Sequence, residues 1–354
     1  MEPSPDTEKL TEQEGEESEE DIQICEGSAP YRYPACEEQL DPVIAMLPNP
    51  DGPAIPFELG GMLPKETYYS TMVQKAKEQL EPNELAYLKT CSVMICTPAY
   101  GAQVSIYYVQ SLIQTLFVLN GLGVECEPAF FGTESLISRA RNAFVAHFLG
   151  STHTHLLFID ADIGFKPGAV LRLLLSRRKL VAGVYPIKAY QWEMLIGYIR
   201  RHPLQNPIDV ETMKQICALY PINMKAKVTK DDMHNGFMQV KEAATGFMLI
   251  SRDLLMLLTQ KFPDKAYIND CVSYKNKRTQ GNFYAFFQPQ IAEDGSRRYL
   301  SEDYSFCHLC AKVGIFPWVD LMMPFTHTGI ETHVGKAMAQ FAALHALHMR
   351  HESH

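Results

Sequence analysis

The feature that most constrains this chain is a regular exchange of short apolar runs with helix-spaced segments, beginning at Cys91. SVMICTPAY reads as a strand entering a Pro-bearing loop, and residues 105–119 have helical spacing that stops at a Gly-rich 121–123. VECEPAFF reads as a second strand, 135–149 as a helix, HLLFID as a third strand, 166–176 as another helix and KLVAGVYPIK as a fourth strand. Strands separated by helices of this length predict an α/β fold, a mostly parallel central sheet with helices on both faces. Ligands on such sheets gather at the carboxyl ends of the strands.

The second half is less regular. FMQVKEAATGFMLISRDLLMLL reads as strand, Gly-containing bend, strand and helix, and 264–300 as a long loop or hairpin region. YLSEDYSFCHLCAKVG starts a helix at an acidic first turn. FPWVDLMMPFTHTG is a strand and its exit, and 336–351 is a closing helix whose histidines form a polar face.

Charge is unevenly placed. Residues 1–27 hold eleven acids and one base, Lys9, so the remaining chain is nearly neutral although the whole carries −9. The segment reads as a disordered acidic tail, and 28–90 as an extension, irregular to about 64 and then helical. A near-neutral remainder provides no broad footprint for nucleic acid; Arg172, Arg177, Arg178 and Lys179 form a local basic patch read as a solvated helix face. No run of eighteen apolar residues predicts a membrane span, and the start lacks the plan of a signal peptide. Nine scattered cysteines suit reduced thiols and a cytoplasmic protein; Cys307-x-x-Cys310 has no second pair to complete a zinc site.

Against this frame stands LLFIDADIGF, residues 156–165, where a buried strand ends in two carboxylates one residue apart. Buried unpaired charge is costly, so a metal, two cationic side chains or exposure must compensate. Carboxylate oxygens are hard ligands suited to Mg²⁺ or Mn²⁺, which bridge readily to phosphates. Alternatively the pair caps the next helix or meets Lys166 and Arg139.

FIDADIGF, with SLISRARNAFVAHFL before it and SEDYSFCHLC and THTG after it, resembles the nucleotide-sugar-dependent glycosyltransferases of GT-A fold. The closest likeness is to the family 2-like enzymes of phages and large DNA viruses. The SRARN…DADI order is also similar to the yeast Golgi mannan mannosyltransferases. The resemblance covers about 91–335, is specific for fold and reaction class, and is poor for substrate. It implies a Rossmann-like GT-A domain over 91–335, with 336–354 as a C-terminal helix and tail, and a cytoplasmic location (host cytosol if viral).

The resemblance also implies roles. Thr97, Pro98 and Tyr100 would hold the nucleoside, with Tyr100 stacking on the base. Arg139 or Arg141, with Asn142 beside them, would meet the nucleotide or its diphosphate. Asp160 would face the sugar or ribose and count among the metal residues, Asp162 would ligate Mn²⁺ or Mg²⁺ directly, and His327 would be a further ligand with His333 as competitor. Asp303, ahead of Glu302, would be the catalytic base of an inverting transfer. Thr245 and Gly246 would lie below the acceptor, where a Gly admits close approach. His153 and His155 read as structural.

The expected activity is therefore transfer of a sugar from a UDP- or GDP-linked donor to a hydroxyl on a glycan, a protein or a modified DNA base. Lys265, Lys275, Lys277 and Arg278 are the basic residues that would serve DNA. Retention of configuration stays open, as do a non-catalytic nucleotide- or glycan-binding protein and a metal-dependent nucleotidyl or phosphoryl transferase. No Gly-x-x-x-x-Gly-Lys loop points to a P-loop enzyme.

Overall fold

In the computed structural model, which describes residues 65–201 and 210–330, strand β1 (Ser92–Pro98) sends Val93 and Ile95 into one core and Met94 and Cys96 into the other. The same alternation holds in β3 (His155–Ile159), with Leu157 and Ile159 on the first face and Leu156 and Phe158 on the second. A strand buried on both faces reads as an unbroken apolar run, which is why these segments were legible.

Helices fill both faces. On the first lie α1 (Lys65–Glu78), α2 (Pro82–Leu88), α3 (Ile106–Gly121) and α5 (Pro167–Leu175); on the second lie α4 (Ile137–Leu149), α8 (Arg252–Lys261) and α9 (Glu302–Ala311). Their starts follow local chemistry. The Ser105 hydroxyl caps α3 by accepting from the Tyr108 N–H, Pro167 opens α5, and the Ser251 hydroxyl caps α8 by accepting from the Leu254 N–H.

The other strands are β2 (Glu125–Phe131), β4 (Ile163–Gly164), β5 (Leu180–Gly183), β6 (Ile222–Asn223), β7 (Met233–His234), β8 (Phe237–Gln239), β9 (Glu242–Ala243), β10 (Phe247–Ser251), β11 (Gln290–Ile291), β12 (Tyr299–Leu300), β13 (Trp318–Asp320) and β14 (Thr326–His327). Eight of them form the central sheet in the order β2-β1-β3-β10-β5-β13-β8-β7. The sheet is mostly parallel in strand direction. Only β10 and β8 run against the rest, β10 lying antiparallel between β3 and β5.

The α/β expectation therefore holds, with one refinement: the 247–251 strand is reversed and central. Expected helices and strands agree with those found to within a few residues, except that KLVAGVYPIK is a strand only as far as Gly183. Two short helices, α6 (Trp192–Arg201) and α7 (Val210–Cys217), had no counterpart in the sequence reading. The 264–300 region is short turns and the β11–β12 hairpin. The acidic tail, the 28–64 segment, His333 and the closing helix lie outside the described residues.

The basic patch is a solvated face only at Arg177 and Lys179, which are exposed. Arg172 forms a two-bonded pair with Asp320 and lies over Phe237, Arg177 covers Tyr87, and Arg178 sits 3.4 Å from the Trp318 ring centre. Cys307 and Cys310 are free, buried thiols within the second core, and burial pushes the Cys307 thiol up to about 12. No helix among the described residues is long and apolar enough to cross a membrane.

Candidate active site

The carboxyl edge of the sheet collects the acids. Asp160 is the first residue beyond β3, and its N–H donates to the Gly246 carbonyl just ahead of β10 (2.9 Å). Its Oδ1 accepts from Arg141 Nη2 at 3.0 Å, and Arg141 Nε donates to Glu302 Oε1 at 3.3 Å. One guanidinium, only 4% exposed and packed over Phe158, thus joins the end of β3 to the first turn of α9. Its burial works against its charge, but the two carboxylates outweigh this and hold its pKa above the ordinary value.

Asp162 belongs to a second group. The β14–β4 pairing sets His327 opposite Ile163, and the Thr328 N–H donates to the Asp162 carbonyl at 2.8 Å. His327 therefore lies beside Asp162, its Nε2 3.4 Å from Oδ1, although 165 positions separate them in the chain. The His327 Nδ1 faces the Pro186 carbonyl at 2.8 Å and can only donate there. That bond fixes the ring and directs Nε2 at the carboxylate. On the other oxygen, Oδ2, Asp162 takes Lys188 Nζ at 2.5 Å. Burial tends to raise its pKa, but His327 and Lys188 overcome it and bring Asp162 down to about 2, so it is ionised at neutral pH.

Tyr185 connects the groups. Its hydroxyl accepts from the Gly246 N–H at 3.2 Å and its ring stands edge-on to His327 at 5.3 Å. Burial first, then the charge of Asp160, raises its pKa strongly, so it stays a neutral phenol. A Cβ on Gly246 would come within 2.5 Å of the Tyr185 ring and hydroxyl, so the Gly is needed for Tyr185.

Glu302 and Asp303 part company at the start of α9. Glu302 is held by Arg141. Asp303 accepts from the Ser301 hydroxyl and from the Tyr304 N–H (2.8 Å) through the same oxygen, Oδ1, so its carboxylate is oriented while Oδ2 receives no hydrogen bond from a described residue. Tyr100, in a short turn after β1, is 72% exposed and free to stack; Pro98 closes the strand beneath it.

Three expected donor contacts do not fit this geometry. Thr97 is fully buried, its hydroxyl bonded to the Tyr108 hydroxyl at 2.6 Å, because its position in β1 points it into the core. Arg139 makes a two-bonded pair with Glu134, away from Asp160, and brings Glu134 down to about 2. Asn142 spends its side-chain amide on the backbone of Phe287, donating to O and accepting from N. Thr245 is buried, with no partner for its hydroxyl among the described residues. His153 is bonded to Glu127, and burial lowers His155 to about 4.

The reading from sequence missed Tyr185, Pro186 and Lys188. The available signal was Pro186, which is disfavoured inside a central strand and argues against reading KLVAGVYPIK as strand to its end.

Mn²⁺ or Mg²⁺ fits the donor set only in part. Among the described residues no three His, Cys, Asp or Glu side chains are gathered as a cage. Asp160, expected among the metal residues, has its Oδ1 on Arg141, so Asp162 and the Nε2 of His327 are the two protein ligands on offer, which leaves water and ligand phosphate to complete an oxygen-rich shell. Charge favours the ion: Asp160, Asp162, Glu302 and Asp303 face two permanent cations, Arg141 and Lys188.

No family model matches the chain, and no curated protein matches it. Among solved structures it is similar to GalNAc-T7 crystallised with UDP, GalNAc and Mn²⁺, at 10% identity and TM-score 0.29, over 67% of this chain and 43% of that one. It is also similar to the inositol-1-phosphate CTP transferase of T. maritima, at 12% identity and TM-score 0.32, over 70% of this chain and 93% of that one. Likenesses this loose carry no conclusion about the reaction.

Proposed function

We propose that this chain is a metal-dependent glycosyltransferase of GT-A type, moving a sugar from a nucleotide-diphosphate sugar to an acceptor hydroxyl. The observation that carries the reading is His327, locked by the Pro186 carbonyl so that Nε2 meets Asp162 at the end of β3. A divalent ion held by Asp162 and His327 would supply charge neutralisation for a leaving diphosphate.

The remaining roles belong to the chain itself. Tyr100 stacks on the base from its exposed turn. Arg141, too buried to be a free phosphate clamp, is a positioning residue that holds Asp160 toward the donor and anchors the first turn of α9. That anchor sets Asp303, whose free oxygen takes the acceptor's proton as the acceptor oxygen bonds to the anomeric carbon and the bond to the diphosphate breaks. Glu302 is excluded from that task by its pairing with Arg141. The transfer is therefore a single displacement with inversion.

A carbohydrate or protein acceptor is favoured over a DNA base. Of the four basic residues suited to DNA, Arg278 is consumed by a two-bonded pair with Glu127, and phosphate contacts need clustered free cations.

The test is calorimetric binding of UDP, GDP, CTP and the UDP- and GDP-sugars, with Mn²⁺ and with EDTA, on the full chain and on Asp162→Ala. Selective metal- and Asp162-dependent binding of a sugar nucleotide, followed by transfer of the sugar, supports the reading. Preference for a nucleoside triphosphate without sugar would replace it with a nucleotidyl transferase, and binding without turnover would leave a binding protein.

A further inference from the structure

We infer that Lys188 is a tethered cation that occupies Asp162 until a divalent ion arrives, and then serves the donor's diphosphate. This rests on the metal-dependent reading above.

The argument begins with what holds the two sides of Asp162. Its Oδ1 faces His327 Nε2 and its Oδ2 binds Lys188 Nζ. Both partners depend on one short segment after β5. Pro186 supplies the carbonyl that fixes the imidazole, and Lys188, two residues on, supplies the ammonium. The far side is equally specific. The Lys188 stem lies against Gly329, where a Cβ would come within 2.5 Å of Cδ, and Gly329 follows His327 by two residues. Segments 186–188 and 327–329 therefore form one clasp around a single carboxylate.

A divalent ion on Asp162 and His327 would meet the ammonium as a like charge on the same carboxylate. The ammonium is the movable member. It rides on a flexible four-carbon stem with a side chain 42% exposed, whereas the imidazole is pinned at Nδ1. Leaving Asp162 does not take Lys188 out of the site, because Gly329 confines its stem. It leaves a free cation beside the metal ligands, where the diphosphate of a sugar nucleotide brings the negative charge to receive it. Lys188 is thus a positioning residue for the donor and a competitor of the metal, and the two roles are taken in turn.

The test uses the full chain as wild type, Lys188→Met and Asp162→Asn, with folding checked by thermal melting. The Lys188 side chain is 42% exposed and a partly exposed ion pair contributes little to stability, so Lys188→Met is expected to melt close to the wild type. Mn²⁺ binding is measured first by calorimetry without nucleotide. Lys188→Met is expected to bind Mn²⁺ roughly twofold to fivefold more tightly than wild type, the factor expected of a partly exposed ion pair removed from competition. UDP and GDP are then titrated at saturating Mn²⁺, where the nucleotide that wild type binds should bind Lys188→Met about tenfold more weakly. If Mn²⁺ binds wild type and Lys188→Met equally while Asp162→Asn loses it, the competition is refuted and the metal site stands. If nucleotide affinity is unchanged in Lys188→Met, the transfer of Lys188 to the diphosphate is refuted. If none of the three proteins binds Mn²⁺, the metal-dependent reading fails and this inference with it.

Discussion

Arg141→Met should be the most damaging single change at the site, and its magnitude follows from what the guanidinium leaves behind. Arg141 is 4% exposed, and its two partners, Glu302 and Asp160, are 13% and 29% exposed. Removing one member of a buried ion pair costs about 3–5 kcal/mol, since the other charge stays buried and unpaired. Water can reach Asp160 more easily than Glu302, so the expected loss is near the lower end, about 3 kcal/mol. Methionine keeps the packing on Phe158, so charge and not volume is tested. Urea unfolding followed by circular dichroism and by tryptophan fluorescence gives the loss from the shift in midpoint. In a Glu302→Gln background the same change should cost clearly less, about 1–2 kcal/mol, because the more buried stranded charge is gone. A loss below about 1 kcal/mol in the wild-type background, or equal losses in both, would refute the view of Arg141 as the charge tie between β3 and α9.

Other perturbations separate chemistry from architecture. Asp303→Asn should leave the melting temperature in place and lower turnover at least a hundredfold, on the order expected for loss of a general base; intact turnover in a sugar-transfer assay would remove Asp303 from the mechanism. Gly164→Ala places a Cβ 2.4 Å from Thr326 Oγ1 and 3.0 Å from Tyr107 Cβ, so Thr326 on β14 or Tyr107 on α3 must give way; stability should fall by about 1–3 kcal/mol, and Mn²⁺ affinity should fall with it if the neighbouring His327 is displaced. Tyr100→Ala should weaken nucleotide binding about tenfold by calorimetry while leaving Mn²⁺ binding alone unchanged, as loss of one base-stacking contact would. Glu242 is buried and bonded to Asn223, Arg298 and His308; burial tends to raise its pKa, but these partners lower it below the ordinary 4.5. Its stabilisation is present above about 4.5 and is lost as pH falls through the depressed folded value. Glu242→Gln should therefore flatten the decline of stability on acidification below that pH.

The strands and the helices between them were legible because burial on two faces leaves unbroken apolar runs, as in Val93 to Cys96 and His155 to Ile159. The direction of 247–251 was not, since an apolar run buried on both faces reads the same whichever way it points. At the site, Asp160, Asp162, His327 and Asp303 came from motifs that the structure brings to one edge. Arg139 and Arg141 were legible as a pair but not as individuals. Two residues along a helix are about 200° apart around its axis, so only one can face the carboxylates. That one is Arg141, and Arg139 turns to Glu134. Asn142 and Thr97 were read from neighbouring motif positions that the helix and strand periods turn into the core. Lys188 and Tyr185 sat in a run read as strand, where no motif marks them.

The reversal of β10 explains why the strand before it can end in two acids. In a parallel arrangement, the residues that precede a strand lie at the opposite edge from the carboxyl end of its neighbour. Because β10 is antiparallel to β3, Thr245 and Gly246 enter at the edge where β3 leaves, and the Gly246 carbonyl takes the Asp160 N–H there. The backbone of Asp160 is thereby satisfied by one strand and its carboxylate by a helix, through Arg141. Asp162 is satisfied by different elements altogether, its carbonyl by Thr328 and its carboxylate by Lys188 and His327. The two acids do not share a partner, so they need not share a role. Asp160 is tied to an arginine too buried to leave, which makes it a fixed charge. Asp162 is tied to a lysine at the surface, which makes it the one carboxylate of the pair that can exchange its cation.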